Sequence, residues 1–429
     1  MISSSGLVLF LQTSLVGALS VGGGYTDNVI AAPDDTAARE GDSFAEVRPS
    51  LILGYRSERA LHRLSYAFSA SFFVQHSEAN SYSNVLDYNA AIETSARTVL
   101  QLGASASEGR FNTFNLLRMP STQAVGALPT GGFTYLALGA REGLTWDPTP
   151  RWRAIEGLSF STFSGLGNDV VLPTSYDTVL DLRTDRSWAT HALGAELRSD
   201  YTLFGETRAM GMVVVPRRQQ IVETLLARWR HDLNPSWSSE LDAGITTALN
   251  ADDFGKYIVE FAGGAALRYR KDPGQAELAY THGAQPNVFV GQSFVVDAVA
   301  LRAGLPLWAR ILTLDGATGY SHGRAIDLGT GMTGSSVDVW LADAGLLWLP
   351  QSLQLAFALR YAHFQQLGAS SGMVGLPSIT RNVVLLTVSG AYPGQPAARG
   401  GGRAEGFEPG SRVDRSDETR PGGGSGESD

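Results

Sequence analysis

Cysteine is absent from the 429 residues of this chain. A disulfide framework, a thiolate metal site and a cysteine nucleophile are therefore excluded. Charged residues are also scarce, at 17% of the chain, compared with roughly 25% in soluble domains. The net charge is −9 and no basic cluster occurs, whereas nucleic-acid binding needs a cationic face. We expect no nucleic-acid partner.

Long apolar runs are missing as well. No segment reaches the roughly 18 uninterrupted apolar residues of a membrane-spanning helix, so a helical membrane protein is not expected. The apolar stretch 6–19 is short and is broken by Gln12, Thr13 and Ser14. No Lys or Arg precedes Arg39, although a secretory signal normally begins with one. Residues 1–17 are interpreted either as a weak signal or as an N-terminal extension left by a misassigned start.

Alternation of apolar and polar residues with a period of two is the dominant pattern, from about Leu19 to Tyr392. In segment 63–75 one parity carries Leu64, Tyr66, Phe68 and Phe72, while the other is mostly polar or small. Segments 257–270 and 353–362 show the same pattern. Because successive side chains of a strand point to opposite faces, the pattern predicts long strands with one apolar face.

The breaks between these strands fall into two alternating classes. Short turns are expected at 57–61, 96–98, 147–150, 184–187, 234–237, 272–274, 308–310 and 349–352. Longer polar loops are expected at 30–43, 77–84, 112–131, 165–173, 205–218, 251–255, 286–292, 325–334 and 367–378. Together these breaks separate about 18 strands, and short turns at one rim with long loops at the other are typical of bacterial outer-membrane barrels.

The sequence thus predicts an all-β fold for residues 18–393: a closed antiparallel transmembrane β-barrel of about 18 strands in an up-and-down meander. Its short turns are expected in the periplasm, its long loops outside the cell, and both termini in the periplasm. Residues 394–429 are rich in Gly, Pro, Arg, Glu and Ser without alternation, which predicts a disordered periplasmic tail. A β-helix and a two-sheet sandwich are the soluble alternatives, but the apolar strand faces would then need a second layer.

In such a barrel one parity meets lipid and the other lines a lumen, since bilayer hydrocarbon requires every backbone group to be paired. The predicted lipid-facing residues are Leu64, Tyr66, Phe68, Phe72, Phe261, Leu355, Phe357 and Leu359. The predicted lumen-lining residues are Glu46, Arg48, Arg56, Arg63, Asp87, Asn89, Glu93, Gln101, Glu240, Asp242, Glu260, Arg268, Arg270, Gln275, Glu277, Gln354 and Arg360. At this strand number side chains alone do not fill the lumen, so an open or loop-plugged channel is expected. For any single charge, simple solvation of the wall is the favoured interpretation.

Aromatic residues cluster near strand ends. Six tryptophans beside short turns predict a girdle in contact with outer-membrane lipids at headgroup level: Trp146, Trp152, Trp229, Trp237, Trp308 and Trp348. The seven histidines lack metal-type spacing, and neither a Gly-x-Ser-x-Gly elbow nor a phosphate-binding glycine loop occurs. We expect no enzyme, cofactor or metal site, and keep a barrel hydrolase as the alternative from another functional class.

The opening strand, Val-Gly-Gly-Gly-Tyr-Thr-Asp-Asn-Val at 21–29, resembles the start of the β-barrel porin-2 group. In that group a Gly-Tyr-x-Asp-Asn stretch precedes an acidic loop, which here contains Asp34 and Asp35. Segment 44–50, Phe-Ala-Glu-Val-Arg-Pro-Ser, resembles the group's second strand. The resemblance is specific over residues 21–55 and implies an outer-membrane porin.

The expected strand number also resembles the eighteen-stranded barrels of myxobacterial exopolysaccharide secretion. That resemblance implies an exit conduit for a secreted polysaccharide, working with a periplasmic polysaccharide export protein and inserted by the outer-membrane assembly machinery. A general diffusion porin for small hydrophilic solutes is the alternative within the same class. Barrels usually end on an aromatic strand residue, whereas here the chain continues past Tyr392.

Overall fold

The computed structural model describes residues 12–34, 39–111, 133–166, 174–209, 212–215, 217–272, 274–287, 291–308, 311–326, 328, 336–350, 354–369 and 378–392. Residues 1–11 and the predicted tail 394–429 lie outside this part of the chain. In the described residues no helix has the length and apolar character needed to cross a membrane. One short 3-10 turn, η1, covers Ser77–Ala79.

Twenty strands are formed by the described residues. They are β1 Gln12–Thr26, β2 Asp42–Arg56, β3 Ala60–Phe73, β4 Ser81–Ser95, β5 Thr98–Phe111, β6 Phe133–Thr149, β7 Trp152–Leu166, β8 Ser175–Ser187, β9 His191–Phe204, β10 Thr207–Ala209, β11 Met212–Val215, β12 Arg218–Asn234, β13 Trp237–Asn250, β14 Asp253–Lys271, β15 Gly274–Asn287, β16 Gln292–Trp308, β17 Leu312–Ala325, β18 Ser336–Trp348, β19 Leu355–Ala369 and β20 Ile379–Tyr392.

The strands form one closed antiparallel sheet of 18 strands, with β10 and β11 as a separate small hairpin between β9 and β12. Closure occurs at β1, which pairs with β2 on one side and with β20 on the other. The closed antiparallel meander confirms the predicted fold class. Strand β1 begins at Gln12, ahead of residue 18, where the sequence places the start of the barrel.

Short turns and longer connections alternate between the two ends, which we call the short-turn rim and the long-loop rim. Several predicted breaks are corrected. Strand β6 continues to Thr149, into the predicted turn 147–150, and β4 begins at Ser81, inside the predicted loop 77–84. The predicted turn at 184–187 belongs to strand β8, which continues to Ser187. Arg183 and Asp185 both point to the inner face and form an ion pair, and these two charges make the segment resemble a polar turn. The predicted loop 251–255 shrinks to 251–252, since β14 already pairs with β13 at Asp253.

The two faces of the sheet follow from the strand register, because directly paired residues point to the same side. One face carries the exposed large apolar side chains, among them Leu301, Phe261 and Leu386. The other brings Phe133 of β6 into a cluster with Phe364 of β19. Strands so far apart around the sheet can meet only across the interior. We call these the outer face and the inner face.

The buried core therefore lies inside the cylinder, near the long-loop rim, rather than between two layers. Three buried clusters occupy this end. The outer face remains apolar and exposed over most strands. An apolar belt of this extent is unfavourable in water, where exposed apolar patches are normally small.

Candidate functional site

Residues 27–34, which connect β1 to β2, fold into the barrel interior. Val29 and Ala31 are fully buried. Ala31 has a φ of 53°, in the left-handed region that a residue with a Cβ rarely adopts. The Asn28 side chain stabilises this geometry, since its Oδ1 accepts from the Ala32 amide at 2.8 Å and its Nδ2 donates to the Ala32 carbonyl at 2.9 Å.

Arg381, on the inner face of β20, lies buried beneath this loop. Its Nε donates to Thr26 Oγ1 at 3.1 Å, and its Nη2 donates to the Val29 carbonyl at 3.4 Å. Val29 also packs against Phe44, Phe73 and Val383 on the walls. The loop is thus bound to three neighbouring parts of the barrel.

The tip of hairpin β15–β16 bends into the interior from another side of the barrel. Phe294 and Val296 join the cluster that includes Phe133 of β6 and Phe364 of β19. Val295, whose side chain points the other way, packs against Val222 of β12, an inner-face residue by register. The hairpin tip therefore lies between opposite walls.

Two polar side chains of β12 bind this tip. Gln220 Oε1 accepts from the backbone amide and the hydroxyl of Ser293, at 3.0 and 2.7 Å. Arg218 Nη1 donates to Gln292 Oε1 at 3.3 Å and to the Gly291 carbonyl at 3.5 Å. Residues 27–34 and 291–296 together are called the plug. The plug occupies the interior at the long-loop rim.

Below the plug, a chamber of about 1770 Å³ opens at the short-turn rim, where the turns themselves contribute to its lining. Its wall is rich in arginine. On the strands and turns around it lie Arg97, Arg141, Arg151, Arg153, Arg183, Arg198, Arg228, Arg230, Arg268 and Arg270, together with Asp147, Asp181, Asp185, Glu196, Asp232 and Glu240 and with Glu142 and Glu156, which the register places on the outer face. The interior is thus asymmetric, with a polar, arginine-rich chamber towards the short-turn rim and the buried plug at the long-loop rim.

An ion-pair network fixes part of this wall. Arg228 contacts Glu196 and Glu240, and its Nε lies 3.4 Å from Asp242 Oδ1. Arg268 extends the network, 2.6 Å from Glu240 and 3.0 Å from Glu277. Shared carboxylates hold these guanidinium groups in fixed orientations, since charge-assisted hydrogen bonds are both short and directional.

Four arginines of the chamber have no carboxylate within ion-pair distance in the described residues: Arg97, Arg141, Arg151 and Arg270. Arg141 Nη2 donates to Asn89 Oδ1 at 2.5 Å, and neither Arg141 nor Arg270 forms an ion pair within the described residues. Because fixed charges on a confined, low-dielectric wall raise the local concentration of counter-ions, the chamber can attract anions.

The structure places the predicted lumen residues on the inner face by register, except Gln354, which directly precedes β19. It brings Glu240, Asp242, Arg268 and Glu277 into the single network above. Glu46 and Arg48 contact each other. The others are distributed: Arg360 contacts Asp343 at 2.9 Å, and Glu260 contacts Arg324 at 3.2 Å, nearer the long-loop rim.

The predicted lipid-facing residues lie on the outer face by register. Of these, Phe68 and Phe357 are half-buried and the other six are exposed. All six predicted girdle tryptophans are exposed beside the short turns. Trp188 joins them in the turn after β8, where the Arg186 guanidinium lies 5.2 Å from its ring centre and 5.5 Å from the Trp152 ring centre.

Sequence reasoning left open whether the lumen is plugged, and it missed several inner-face arginines and the residues that form the plug. Arg228 and Arg230 alternate with Trp229 and His231, so strict parity counting through β12 could have found them. The plug has a weaker signal, since Phe294, Val295 and Val296 form a run without alternation. Such a run predicts burial on both faces but does not say against what.

Two titratable groups outside the strands attach the β1–β2 connection to its neighbours. Burial alone would raise the pKa of Asp27, but hydrogen bonds from the Asn382 side chain and backbone, together with Arg39, lower the pKa below its usual value. His76 Nε2 lies 2.5 Å from Glu40, and its Nδ1 lies 3.1 Å from Asp42. The hydrogen bonds to Glu40 and Asp42 raise the pKa of His76.

His76 should therefore titrate above the ordinary histidine value of about 6.5. Since the pKa is raised in the folded state, the imidazolium contacts are fully formed below about pH 6.5 and are lost as pH rises through the raised value. An NMR titration of the His76 ring measures the midpoint. Glu40→Gln should lower it, because it removes the largest stabilising contact, and an unchanged midpoint would contradict this account of the cluster.

No group of three or more His, Asp or Glu side chains able to hold a metal ion occurs in the described part of the chain. What the site offers is a confined polar volume, fixed positive charge and a plug of short connecting segments. These features suit passage or retention of a hydrophilic anion.

Among known proteins, similarity to this chain is found only with solved structures. No family model and no curated protein matches the chain. The alcaligin outer-membrane receptor FauA from Bordetella pertussis is 12% identical, with 88% of this chain and 76% of FauA covered at a TM-score of 0.44. The siderophore receptor PirA from Pseudomonas aeruginosa is 9% identical, with 88% of this chain and 80% of PirA covered at a TM-score of 0.45. OccAB3 from Acinetobacter baumannii is 11% identical, with 89% of this chain and 99% of OccAB3 covered at a TM-score of 0.45.

Proposed function

We propose that this chain is a channel of the bacterial outer membrane that carries a hydrophilic anionic solute. The observation that carries the proposal is the arginine-rich chamber, which opens at the short-turn rim, whereas the plug occupies the interior at the long-loop rim. The wall charges include two guanidinium groups without a carboxylate partner in the described residues, Arg141 and Arg270. A narrow volume lined in this way favours anions over cations.

The outer face supports the membrane part of the proposal. Its apolar side chains are exposed on strand after strand, and a closed sheet leaves no backbone group unpaired along the strands, as bilayer hydrocarbon requires. Tryptophans collect at the short-turn rim, where an aromatic girdle meets the headgroups. Long loops then face the cell exterior, and both ends of the barrel chain, at β1 and β20, lie towards the periplasm.

The asymmetry of the interior supports a direction of transport. A solute arriving from the periplasm would meet the arginine-rich chamber first and the plug last, the order expected of an export conduit. We therefore propose that the solute is a secreted polysaccharide with acidic groups, delivered by a periplasmic polysaccharide export protein. The inner-face residues predicted from the sequence would line its path, and outer-membrane assembly machinery would insert the barrel.

A deletion strain tests the export role. Exopolysaccharide secretion should fall while synthesis of the polymer continues inside the cell, because only the exit step is removed. If secretion stays normal and uptake of small anionic solutes falls instead, the chain is a diffusion porin and not an export conduit.

Charge selectivity in planar bilayers tests the chamber itself. The double variant Arg141→Gln, Arg270→Gln should lower the anion-to-cation permeability ratio several-fold, because it removes two of the four unpaired charges while keeping polar side chains. Arg186→Gln is the matched control, since Arg186 lies at the same rim but on the outer face against Trp152 and Trp188. An equal change in the control, or no change in the double variant, would contradict the proposed role of the chamber.

A further inference from the structure

The outer face carries one arrangement three times near the long-loop rim. In each copy a tyrosine and the histidine two residues later lie on an odd-numbered strand, and both hydrogen-bond the same oxygen of the next strand. Tyr280 and His282 lie 2.9 and 2.7 Å from Asp297 Oδ1. Tyr320 and His322 lie 2.5 and 2.9 Å from Asp338 Oδ1.

The third copy uses an amide in place of the carboxylate. Tyr361 and His363 lie 2.7 and 2.8 Å from Asn382 Oδ1. The Asn382 side chain donates in turn to Asp27 Oδ2 at 2.7 Å, and Arg39 lies 2.6 Å from the same atom. The strand register joins the first two copies, because Asp297 is also paired with His322. The first two copies thus form a continuous line across β15 to β18, and the third lies beyond it on β19 and β20, since Asp338 is paired with Leu367 and not with His363. The three copies together are called the polar row.

The acceptors determine the protonation of each ring. A carboxylate oxygen offers no hydrogen, and Asn382 Oδ1 is identified as the acceptor by the donation from its Nδ2 to Asp27. Each histidine must therefore carry its proton on Nδ1. In the described residues Nε2 of His282, His322 and His363 has no hydrogen-bond partner. The Nε2 edges of the three imidazoles are thus unpaired in this part of the chain.

The row lies one apolar belt away from the tryptophan girdle. On β17, Leu312 is paired with Trp348 of the girdle, and His322 lies ten residues further along. At about 3.4 Å per residue and a tilt of about 40°, this separation is about 26 Å along the barrel axis, close to the roughly 25 Å height of the apolar band of such barrels. The row therefore lies at the opposite headgroup level, in the outer leaflet.

We propose that this row binds phosphate-bearing lipid headgroups of the outer leaflet through the Nε2 edges of His282, His322 and His363. The Tyr hydroxyls and Nδ1 atoms are already bound to Asp297, Asp338 and Asn382, so the free groups of the row are the three ring nitrogens. A ring that also carries a proton on Nε2 donates it to a phosphate oxygen, the matching acceptor at this depth, while Nδ1 keeps its contact with Asp297, Asp338 or Asn382. The inference rests on the membrane position proposed above and is independent of the solute.

Lipid retention by the purified full-length barrel tests the inference. The protein is exchanged into detergent with equal amounts of phosphatidic acid and phosphatidylcholine of the same chain length, with a chelator present to remove divalent cations. Bound lipids are counted by native mass spectrometry. The wild type should retain phosphatidic acid in several-fold preference, and His282→Gln, His322→Gln, His363→Gln together should abolish this preference.

Three histidines at the opposite rim serve as a matched control, which shows whether the preference depends on the position of the histidines and not on their number. His62, His191 and His231 lie on the outer face near the short-turn rim, and replacing all three with Gln should leave the preference unchanged. Folding of every variant is checked by the heat-dependent gel shift of barrels. Equal retention of the two lipids by the wild type, or an undiminished preference in the first triple variant, overturns the inference. A folded barrel that binds both lipids equally would leave the membrane position and the channel function intact.

Discussion

Replacing both Phe294 and Val296 with aspartate should raise the single-channel conductance several-fold. Both side chains are buried in the cluster that joins opposite walls of the barrel. Burying a large apolar side chain contributes about 1.5–3 kcal/mol, and each new carboxylate adds a desolvation cost of several kcal/mol unless the hairpin tip leaves the cluster. The lowest-energy arrangement of the variant therefore has the tip out of the interior.

A control for this experiment lies on the same hairpin. Thr281→Asp adds a carboxylate to the inner face of β15, where Thr281 is paired with Gly264 and Ala298, outside the buried clusters that form the plug. Its conductance should stay close to that of the wild type. If the control conducts as well as the double variant, added charge and not removal of the tip explains the increase.

The hydrogen bonds of the tip should act on the frequency of opening. Gln220→Leu removes the acceptor for both Ser293 donors while leaving the apolar cluster in place. We expect more frequent openings of unchanged amplitude in this variant, in contrast to the larger amplitude of the Phe294 and Val296 double variant. The Gln220 variant thus reports on the hydrogen bonds that hold the tip, and the Phe294 and Val296 double variant reports on the part of the channel that the tip blocks.

The barrel was predictable because the alternation of its strands and the chemistry of its turns can be recognised in short segments of the sequence. Alternation fixes which side chains share a face, and the turn chemistry at Asn234 and Pro350 marks strand ends within a few residues. Neither depends on contacts between distant parts of the chain. The number of strands follows from counting such segments.

The residues of the plug were not predictable, because they are determined by contacts between distant segments. Val295 is buried against Val222 only because the hairpin bends inward, and no residue of the hairpin specifies that bend by itself. Ala31 likewise adopts its left-handed conformation through Asn28 and the neighbouring strands. Local patterns cannot show which loop enters a cavity that exists only after the barrel has closed.

The polarity of a residue also does not always indicate which face of the sheet it lies on. Glu142 is paired with Leu102 and Leu158, and Glu156 with Leu144 and Leu182, so the register places both carboxylates on the outer face. Assigning them by charge would put them in the lumen and shift the parity of β6 and β7. The register of a closed sheet overrides the preference of a single residue, because a slip of one position would invert every side chain of the strand.

The largest effect on assembly should come from a charge at the middle of the apolar belt. Leu301 is exposed on the outer face, paired with Leu278 and Thr318, four residues from the polar row at Asp297. Leu301→Arg should destabilise the folded barrel in a bilayer by about 2–4 kcal/mol, the cost of an arginine near the bilayer midplane. Urea titration of the barrel in phosphatidylcholine vesicles, followed by the heat-dependent gel shift, measures this loss.

The adjacent position provides the control. Ala300 points to the inner face between Ala279 and Gly319, whose small side chains leave room for a longer one. Ala300→Arg should therefore change the free energy of unfolding far less than Leu301→Arg, although the two variants gain the same charge at the same height. Equal losses at the two positions would mean that both faces meet the same medium, and neither a lipid-facing belt nor a water-filled chamber would then be tenable.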